Sequence, residues 1–257
     1  MKKKKLLALG MVAALGTTAI GGTLAYFSDT DAQTNTFTTG NVAIDLWEDF
    51  GDNDGLEELL PAVGSAQNGT LKNGIEKEVY VKNTGSEDAY VRVHIAIPKI
   101  LDDGAETFDA SKNVLHFNYA KESIGEGKWD WSKGADDGKY EGDWNYYETK
   151  INDVDYHVYV VTYTGKLSKD DATVDAISQV YLDSKTSNED ITAIKQVLGN
   201  EWKLAVVAEG TQAEGFTNAY EALNTAFGVP GVDYKVDFTN QIAENDTWID
   251  TISSQGK

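Results

Sequence analysis

The three histidines of this chain, His94, His116 and His157, are its best candidates for binding a catalytic metal. Zinc enzymes hold the metal with imidazole and carboxylate ligands and leave one position open for water. The sequence contains no His-Glu-x-x-His motif, which would place two ligands and a base on one helical face. A metallopeptidase would therefore need these histidines, or two of them with carboxylates, to converge from separate elements. We favour the simpler interpretation that each is an ordinary hydrogen-bonded residue.

Other catalytic patterns are not found in the sequence. There is no Gly-x-Ser-x-Gly nucleophile elbow, no phosphate-binding loop and no dinucleotide fingerprint. Carboxylate pairs are frequent because 42 of the 257 residues are acidic, so such pairs identify no active site. The motifs favour a protein that is not an enzyme and that requires no cofactor.

An acidic, glycine-containing loop at residues 48–55 suggests calcium. Its candidate ligands are Asp49, Asp52 and Asp54. It does not fit the EF-hand template, because the alignment places Phe50 at the first ligand position and Pro61 at the twelfth, where Glu is required. We expect a solvated acidic loop, and a calcium site completed by other loops is the alternative.

An aromatic stretch at residues 128–147 contains Trp129, Trp131 and Trp144 together with three tyrosines. Aromatic rings exposed on loops stack against sugars or partner proteins. A glycan-binding or partner-binding surface is therefore one interpretation. The other, which we favour, is that the rings cover the end of the fold or form an extra hairpin.

The elements that position these residues are mainly strands. Alternating or β-branched apolar residues predict strands at 42–47, 75–82, 89–97, 156–163, 201–207 and 232–238. Two short helices are predicted, one from Asn188 to Gly199 and one over 217–227. Short strands joined by Gly and Asn turns predict an all-β fold, a two-sheet sandwich with short helices inserted in loops.

The first 25 residues are typical of a secretory signal peptide. A cluster of four lysines precedes an apolar run over 6–20, which at about 15 residues is shorter than the roughly 20 needed to span a membrane. We expect cleavage after Ala25, so that the mature chain begins at Tyr26. The carboxyl end is polar, and after cleavage we expect nothing to hold the protein to a membrane.

The charge of the chain excludes several kinds of partner. Loss of the four leader lysines takes the formal charge from −20 to about −24. Such a charge repels nucleic acids and anionic membrane surfaces. The chain has no cysteine, so its stability depends on a packed core without disulfides.

Four segments of the chain are informative about its family. They are residues 24–30 (Leu-Ala-Tyr-Phe-Ser-Asp-Thr), 36–46, 82–93 and 208–216. These segments resemble the TasA/camelysin family of exported Gram-positive proteins, whereas residues 98–152 do not match and are interpreted as a variable aromatic and acidic insertion. The resemblance implies a leader processed by a SipW-type signal peptidase, a jelly-roll-like sandwich over residues 41–257, and secreted biofilm-matrix subunits that assemble into fibres. The camelysin branch has been classed among metallopeptidases, so a cell-surface metallopeptidase is an alternative.

Strand addition is the assembly mechanism that the sequence suggests. Residues 26–40 are rich in polar residues and poor in apolar ones, so the free segment should be disordered alone. Laid on the sheet edge of another copy, it would complete that sheet, with Tyr26, Phe27 and Phe37 filling pockets. The alternative is that it folds back as the first strand of its own sheet. The expected partners are other copies of the chain, an accessory matrix protein or an exopolysaccharide, and a monomeric surface adhesin remains a further alternative.

Overall fold

The computed structural model describes residues 28–31, 42–49, 60–64, 72–102, 115–117, 128–131, 145–199 and 204–238. The described elements are β1 (Ser28–Asp31), β2 (Ile44–Asp49), β3 (Ile75–Asn83), β4 (Ala89–Pro98), a 3-10 turn (Lys99–Leu101), β5 (Leu115–Phe117), β6 (Trp129–Asp130), β7 (Tyr146–Ile151), β8 (Val154–Tyr163), β9 (Ile177–Leu182), α1 (Asn188–Leu198), β10 (Ala205–Gln212) and α2 (Ala219–Phe227). Among the described residues, no helix is long and apolar enough to cross a membrane.

The strands form two antiparallel sheets that pack face to face. The first sheet, sheet A, has the order β1-β10-β4-β8-β6, and β7 also pairs with β8. The second, sheet B, has the order β2-β3-β9-β5. Alternate residues of both sheets meet in one apolar core, which includes Val79 and Val81 of β3 and Val93 and Ile95 of β4. The predicted two-sheet β-sandwich is therefore confirmed.

Strand β4 is buried along its whole length because both of its faces are covered. Val91, Val93, Ile95 and Ile97 point into the sandwich core. The alternate residues Tyr90, Arg92, His94 and Ala96 therefore lie on the outer face of sheet A. This outer face is covered by α2 and by residues 228–238, which we call the carboxyl-terminal segment. An otherwise apolar strand thus carries an arginine and a histidine in the interior of the protein.

A tight hairpin joins β7 to β8. Its two turn residues, Asn152 and Asp153, have positive φ angles of 48° and 65°. Two consecutive residues with positive φ are typical of a type I′ turn, whose twist matches that of the two strands it joins. Asn and Asp tolerate this conformation. This hairpin contains Tyr146 and Tyr147, in agreement with the extra hairpin predicted for the aromatic stretch.

The prediction of a strand at 232–238 was wrong. These residues form no strand, and they cross the outer face of sheet A in an irregular conformation. Their alternation is nevertheless meaningful, because Phe238 is buried against the sheet and Val236 packs beside it. The helix predicted from Asn188 is confirmed: Ser187 caps α1 and Gly199 ends it.

Gly210 is expected to be essential for the contact between the two sheets. An added Cβ at this position would lie 2.8 Å from Cγ2 of Ile44 on β2. Gly210→Ala should therefore lower the free energy of unfolding by about 1–3 kcal/mol, measured by urea unfolding. The control is Gly165→Ala, where the nearest atom belongs to Tyr163 at an ordinary 3.4 Å. In an Ile44→Ala background the cost of Gly210→Ala should fall clearly, and simple additivity of the two changes would contradict this assignment.

Candidate functional site

The described amino-terminal strand lies on the edge of sheet A. β1 pairs antiparallel with β10, in the register Ser28 with Thr211, Asp29 with Gly210, Thr30 with Glu209 and Asp31 with Ala208. β10 pairs with β4 on its other side over all eight of its residues. The end of the chain that sequence analysis selects for assembly is thus held by a short pairing of four residues. Within a single chain this is the folded-back arrangement that was weighed as the alternative.

Glu209 connects this edge to the interior. It lies opposite Thr30 in the pairing, and its own side chain is buried on the outer face of sheet A at 2 % exposure. Its carboxylate accepts hydrogen bonds from Arg92 Nε at 2.6 Å and from His94 Nε2 at 3.0 Å. The hydroxyl of Tyr234 lies 2.8 Å from one carboxylate oxygen and 2.6 Å from the other, and it donates to this carboxylate. We call Arg92, His94, Glu209 and Tyr234 the Glu209 cluster.

Arg92 joins the cluster to every element that covers the outer face. In addition to Glu209, it donates to Asn224 Oδ1 on α2 at 2.9 Å. One of its terminal nitrogens donates to the carbonyl of Gly228 at 3.2 Å and to the Tyr234 hydroxyl at 2.6 Å. The planar guanidinium suits this role because its donors have a fixed geometry and it remains charged.

The charges of the cluster compensate each other in a buried environment. Burial alone would raise the pKa of Glu209, but the neighbouring His94 and Arg92, with the Tyr234 hydroxyl, outweigh burial and lower that pKa to about 2. Glu209 is therefore ionised at neutral pH. Burial lowers the pKa of His94, against the opposing effect of Glu209, so His94 is neutral there. The buried ion pair is formed by Arg92 and Glu209, and His94 is a neutral donor to it.

His94 and His157 do not converge on one metal. His94 lies on the outer face of sheet A, whereas His157 lies opposite Ile97, a residue that points into the core. Because directly paired residues share a face, these two imidazoles lie on opposite sides of the sheet. His157 neighbours Asp102 at 3.4 Å and Glu148 at 3.6 Å, each through a different ring nitrogen. His116 lies on β5 of sheet B.

No cluster suitable for a metal is found among the described residues. A zinc site that uses His94 and His157 together is thus excluded by their positions. Of the three calcium candidates, Asp49 ends β2, and Asp52 and Asp54 lie outside the described residues.

Two of the three candidate tryptophans are core residues. Trp129 and Trp131 are 2 % and 4 % exposed. The indole of Trp129 donates to the carbonyl of Val174 at 2.7 Å and packs edge-on against Tyr163. Buried rings have no free face for a sugar, so these two residues serve the packing of the core. Trp144 lies outside the described residues.

The other sequence-predicted site residues also lie outside the described residues. They are Ala25 and Tyr26 at the expected cleavage site, and Phe27 and Phe37, which with Tyr26 were expected to fill pockets. Their roles remain predictions.

Comparison with known families concerns this same end of the chain. Residues 1–53 match the family model described as camelysin metallo-endopeptidase. Comparisons with curated proteins and with solved structures give no match. The matched part includes the predicted leader, β1 and β2, and thus two of the four segments on which the TasA/camelysin resemblance was based. It supports that resemblance at family level for the amino-terminal part of the chain.

Sequence reasoning did not identify the Glu209 cluster. A signal was present, because Arg92 interrupts the apolar residues of the strand predicted at 89–97, and Glu209 directly follows the apolar run 204–208, just beyond the strand predicted at 201–207. A charged residue at such a position requires a buried partner. The partner is 117 positions away, and no local pattern in the sequence links the two.

Replacement of the buried carboxylate should be costly and should alter the pH dependence of stability. Glu209→Gln leaves the Arg92 charge buried without its counter-ion, which should cost about 3–5 kcal/mol at pH 7. In the wild type the lowered pKa of Glu209 contributes stability that is present above pH 4.5 and is lost as the pH falls toward about 2. The difference in free energy of unfolding between variant and wild type should therefore be smaller at pH 3 than at pH 7 in urea-unfolding measurements. The exposed Glu76 provides the control variant Glu76→Gln, and an equal gap at both pH values would contradict the assignment.

Proposed function

We propose that this chain is a secreted structural protein of the extracellular or biofilm matrix of a Gram-positive bacterium. In this proposal, removal of the leader by a SipW-type signal peptidase releases the amino-terminal segment. Copies then assemble head to tail into fibres by strand addition. The observation that carries the proposal is the edge position of β1, which pairs with β10 through four residues and lies within the matched amino-terminal region.

The pairing of β1 is suited to exchange between copies. The same register can form with β10 of another copy, so the hydrogen bonds lost within a chain are regained between chains. Residues 32–43 separate β1 from β2 in the sequence, and in this proposal they span the distance to the neighbouring copy. Such a contact joins unlike surfaces, and a contact of this kind that does not close into a ring produces a filament. The leader would act as a lock, because it ties the segment to a membrane-held helix.

The charge of the subunit should regulate growth of the fibre. At about −24 per mature chain, neighbouring copies repel each other. Salt screens this repulsion, and divalent cations or low pH neutralise carboxylates. Assembly should therefore be faster under all three conditions.

A cell-surface metallopeptidase is the second candidate, because the matched family model carries that description. The opposite orientation of His94 and His157 on sheet A argues against a site that uses both. A monomeric adhesin is the third candidate, but the burial of Trp129 and Trp131 removes two of the rings on which it would depend.

Backbone pairing by β1 should be required for assembly, whereas the side chains of Asp29 and Thr30 should not. The double change Asp29→Pro with Thr30→Pro removes two backbone N–H groups and should abolish filaments. The matched control, Asp29→Ala with Thr30→Ala, keeps both groups and should still assemble. We would follow the protein starting at Tyr26 by light scattering and negative-stain microscopy, with circular dichroism to verify the fold.

The opposite outcome is equally clear. Filaments from the proline variant, or from a chain that lacks residues 26–37, would show that assembly does not use β1. Monomers from every form, including the wild type starting at Tyr26 with salt or calcium added, would favour the monomeric adhesin.

A further inference from the structure

The carboxyl-terminal segment and the amino-terminal strand meet at one residue. Glu209 pairs with β1 through its backbone and binds Tyr234 of the carboxyl-terminal segment through its carboxylate. We propose that the carboxyl-terminal segment is an acid-releasable latch over the outer face of sheet A, and that protonation of His94 opens it. The latch itself does not depend on the proposed function. Its consequence for assembly rests on that function.

The latch is closed by a few specific contacts. Tyr234 accepts from Arg92 and donates to Glu209, and the backbone N–H of Val236 donates to the Tyr147 hydroxyl at 3.1 Å. Phe238 is buried against the sheet. Apart from the turn at residues 228–234, backbone hydrogen bonds do not hold the described segment in a regular element. A segment held mainly by side chains can open while the ladder between β4 and β10 stays intact.

His94 is the group in this cluster whose ordinary pKa, 6.5, lies nearest to neutral pH. Its Nε2 donates to Glu209, so in the neutral ring Nδ1 is a bare acceptor. The side chain is fully buried, and within the described part of the structure Nδ1 has no hydrogen-bond partner. The rings of Tyr147 and Tyr234 lie edge-on at 6.3 and 6.2 Å. A proton on Nδ1 would create a buried donor without an acceptor, which is costly in the closed state.

The neighbouring charges agree with this assignment. The charged and titratable groups around the ring are Arg92 on its own strand, Glu209 on β10, Tyr147 on β7 and Tyr234 on the carboxyl-terminal segment. The positive charge of Arg92 disfavours protonation of His94, and the negative charge of Glu209 favours it. Burial outweighs the attraction and lowers the pKa of His94. Both tyrosines have raised pKa values and stay neutral in the range that matters.

The direction of the pH effect follows from linkage. Opening of the latch admits water to Nδ1 and returns the pKa of His94 toward its ordinary value of 6.5. Below pH 6.5 the open state therefore binds a proton that the closed state does not, and the closed state loses stability as the pH falls toward the lowered pKa. Glu209 remains ionised throughout this window, because its pKa is about 2.

Opening would expose an apolar surface on sheet A. Beneath the latch lie Ala96 on β4, Val158 and Val160 on β8, and Ala205 and Val207 on β10. In a fibre this surface would become available to a neighbouring subunit, beside the strand that receives β1. Acid would then act at a defined site in addition to its general effect on surface charge.

Hydrogen exchange of the monomeric protein tests the latch directly. The expected result is that backbone protection over residues 228–238, corrected for intrinsic rates, falls about tenfold between pH 7.5 and 5.5. One unit of this range lies below the ordinary pKa of His94, and one unit of pH changes a proton-linked equilibrium about tenfold. Peptides from β4 and β8 should stay protected, and binding of an apolar dye should rise. The measurement is made with residues 1–25 present and again on protein starting at Tyr26. Failure of processing or of fibre formation therefore leaves it valid.

Two variants and one control connect the response to the cluster. His94→Gln keeps a donor toward Glu209 but cannot titrate, so the acid response should shrink to less than about twofold. Tyr234→Phe removes the bridging hydroxyl and should deprotect residues 228–238 already at pH 7.5. His157→Gln changes the other buried histidine of sheet A and should respond as the wild type does.

Three results would overturn the latch. The first is unchanged protection of the wild type at pH 5.5. The second is an equal acid response in His94→Gln. The third is loss of β4 and β8 protection together with residues 228–238, which would mean that acid unfolds the whole domain.

Discussion

The buried pair of Arg92 and Glu209 is the interaction on which the outer half of this structure depends. Burial of an arginine and a glutamate is costly unless each is fully satisfied. Here the pair is satisfied only when α2, the Gly228 carbonyl and Tyr234 are all in place. This requirement ties the covering elements to sheet A. The strand that receives β1 is thus held from inside the protein by charge and at its edge by backbone pairing.

This arrangement places the two ends of the described chain on one strand. The amino-terminal strand uses the backbone of β10, and the carboxyl-terminal segment uses the Glu209 side chain. The first contact involves only four residues of β1, and β1 can pair in the same register with β10 of any copy. This suits the exchange of β1 between subunits. The second contains a histidine that can be protonated, which suits control by acid. Both properties would serve the proposed function, in which copies assemble only after the leader is removed.

Local patterns in the sequence were sufficient for the sandwich and for several of its strands. The alternation of β3 was predicted including Lys77, which indeed lies on the buried side. The bounds of α1 were predicted from Asn188 and Gly199, because these signals lie at the ends of the helix itself, although the residue that caps its start is Ser187. The prediction of a strand at 232–238 was wrong, because an alternating pattern also occurs where a segment crosses the face of a sheet without pairing with it. The Glu209 cluster joins residues from distant parts of the chain, and local patterns do not show that arrangement.

The central claim is that β1 pairs with β10 of another copy in the fibre. The chain has no cysteine, so introduced cysteines can report this pairing directly. Ser28 and Thr211 lie opposite each other in the register, a placement that brings two cysteines within disulfide range. One protein carrying Ser28→Cys and another carrying Thr211→Cys would be mixed, assembled, oxidised and separated without reductant. The account predicts disulfide-linked dimers of the two proteins in filaments, whereas filaments without such dimers would contradict it.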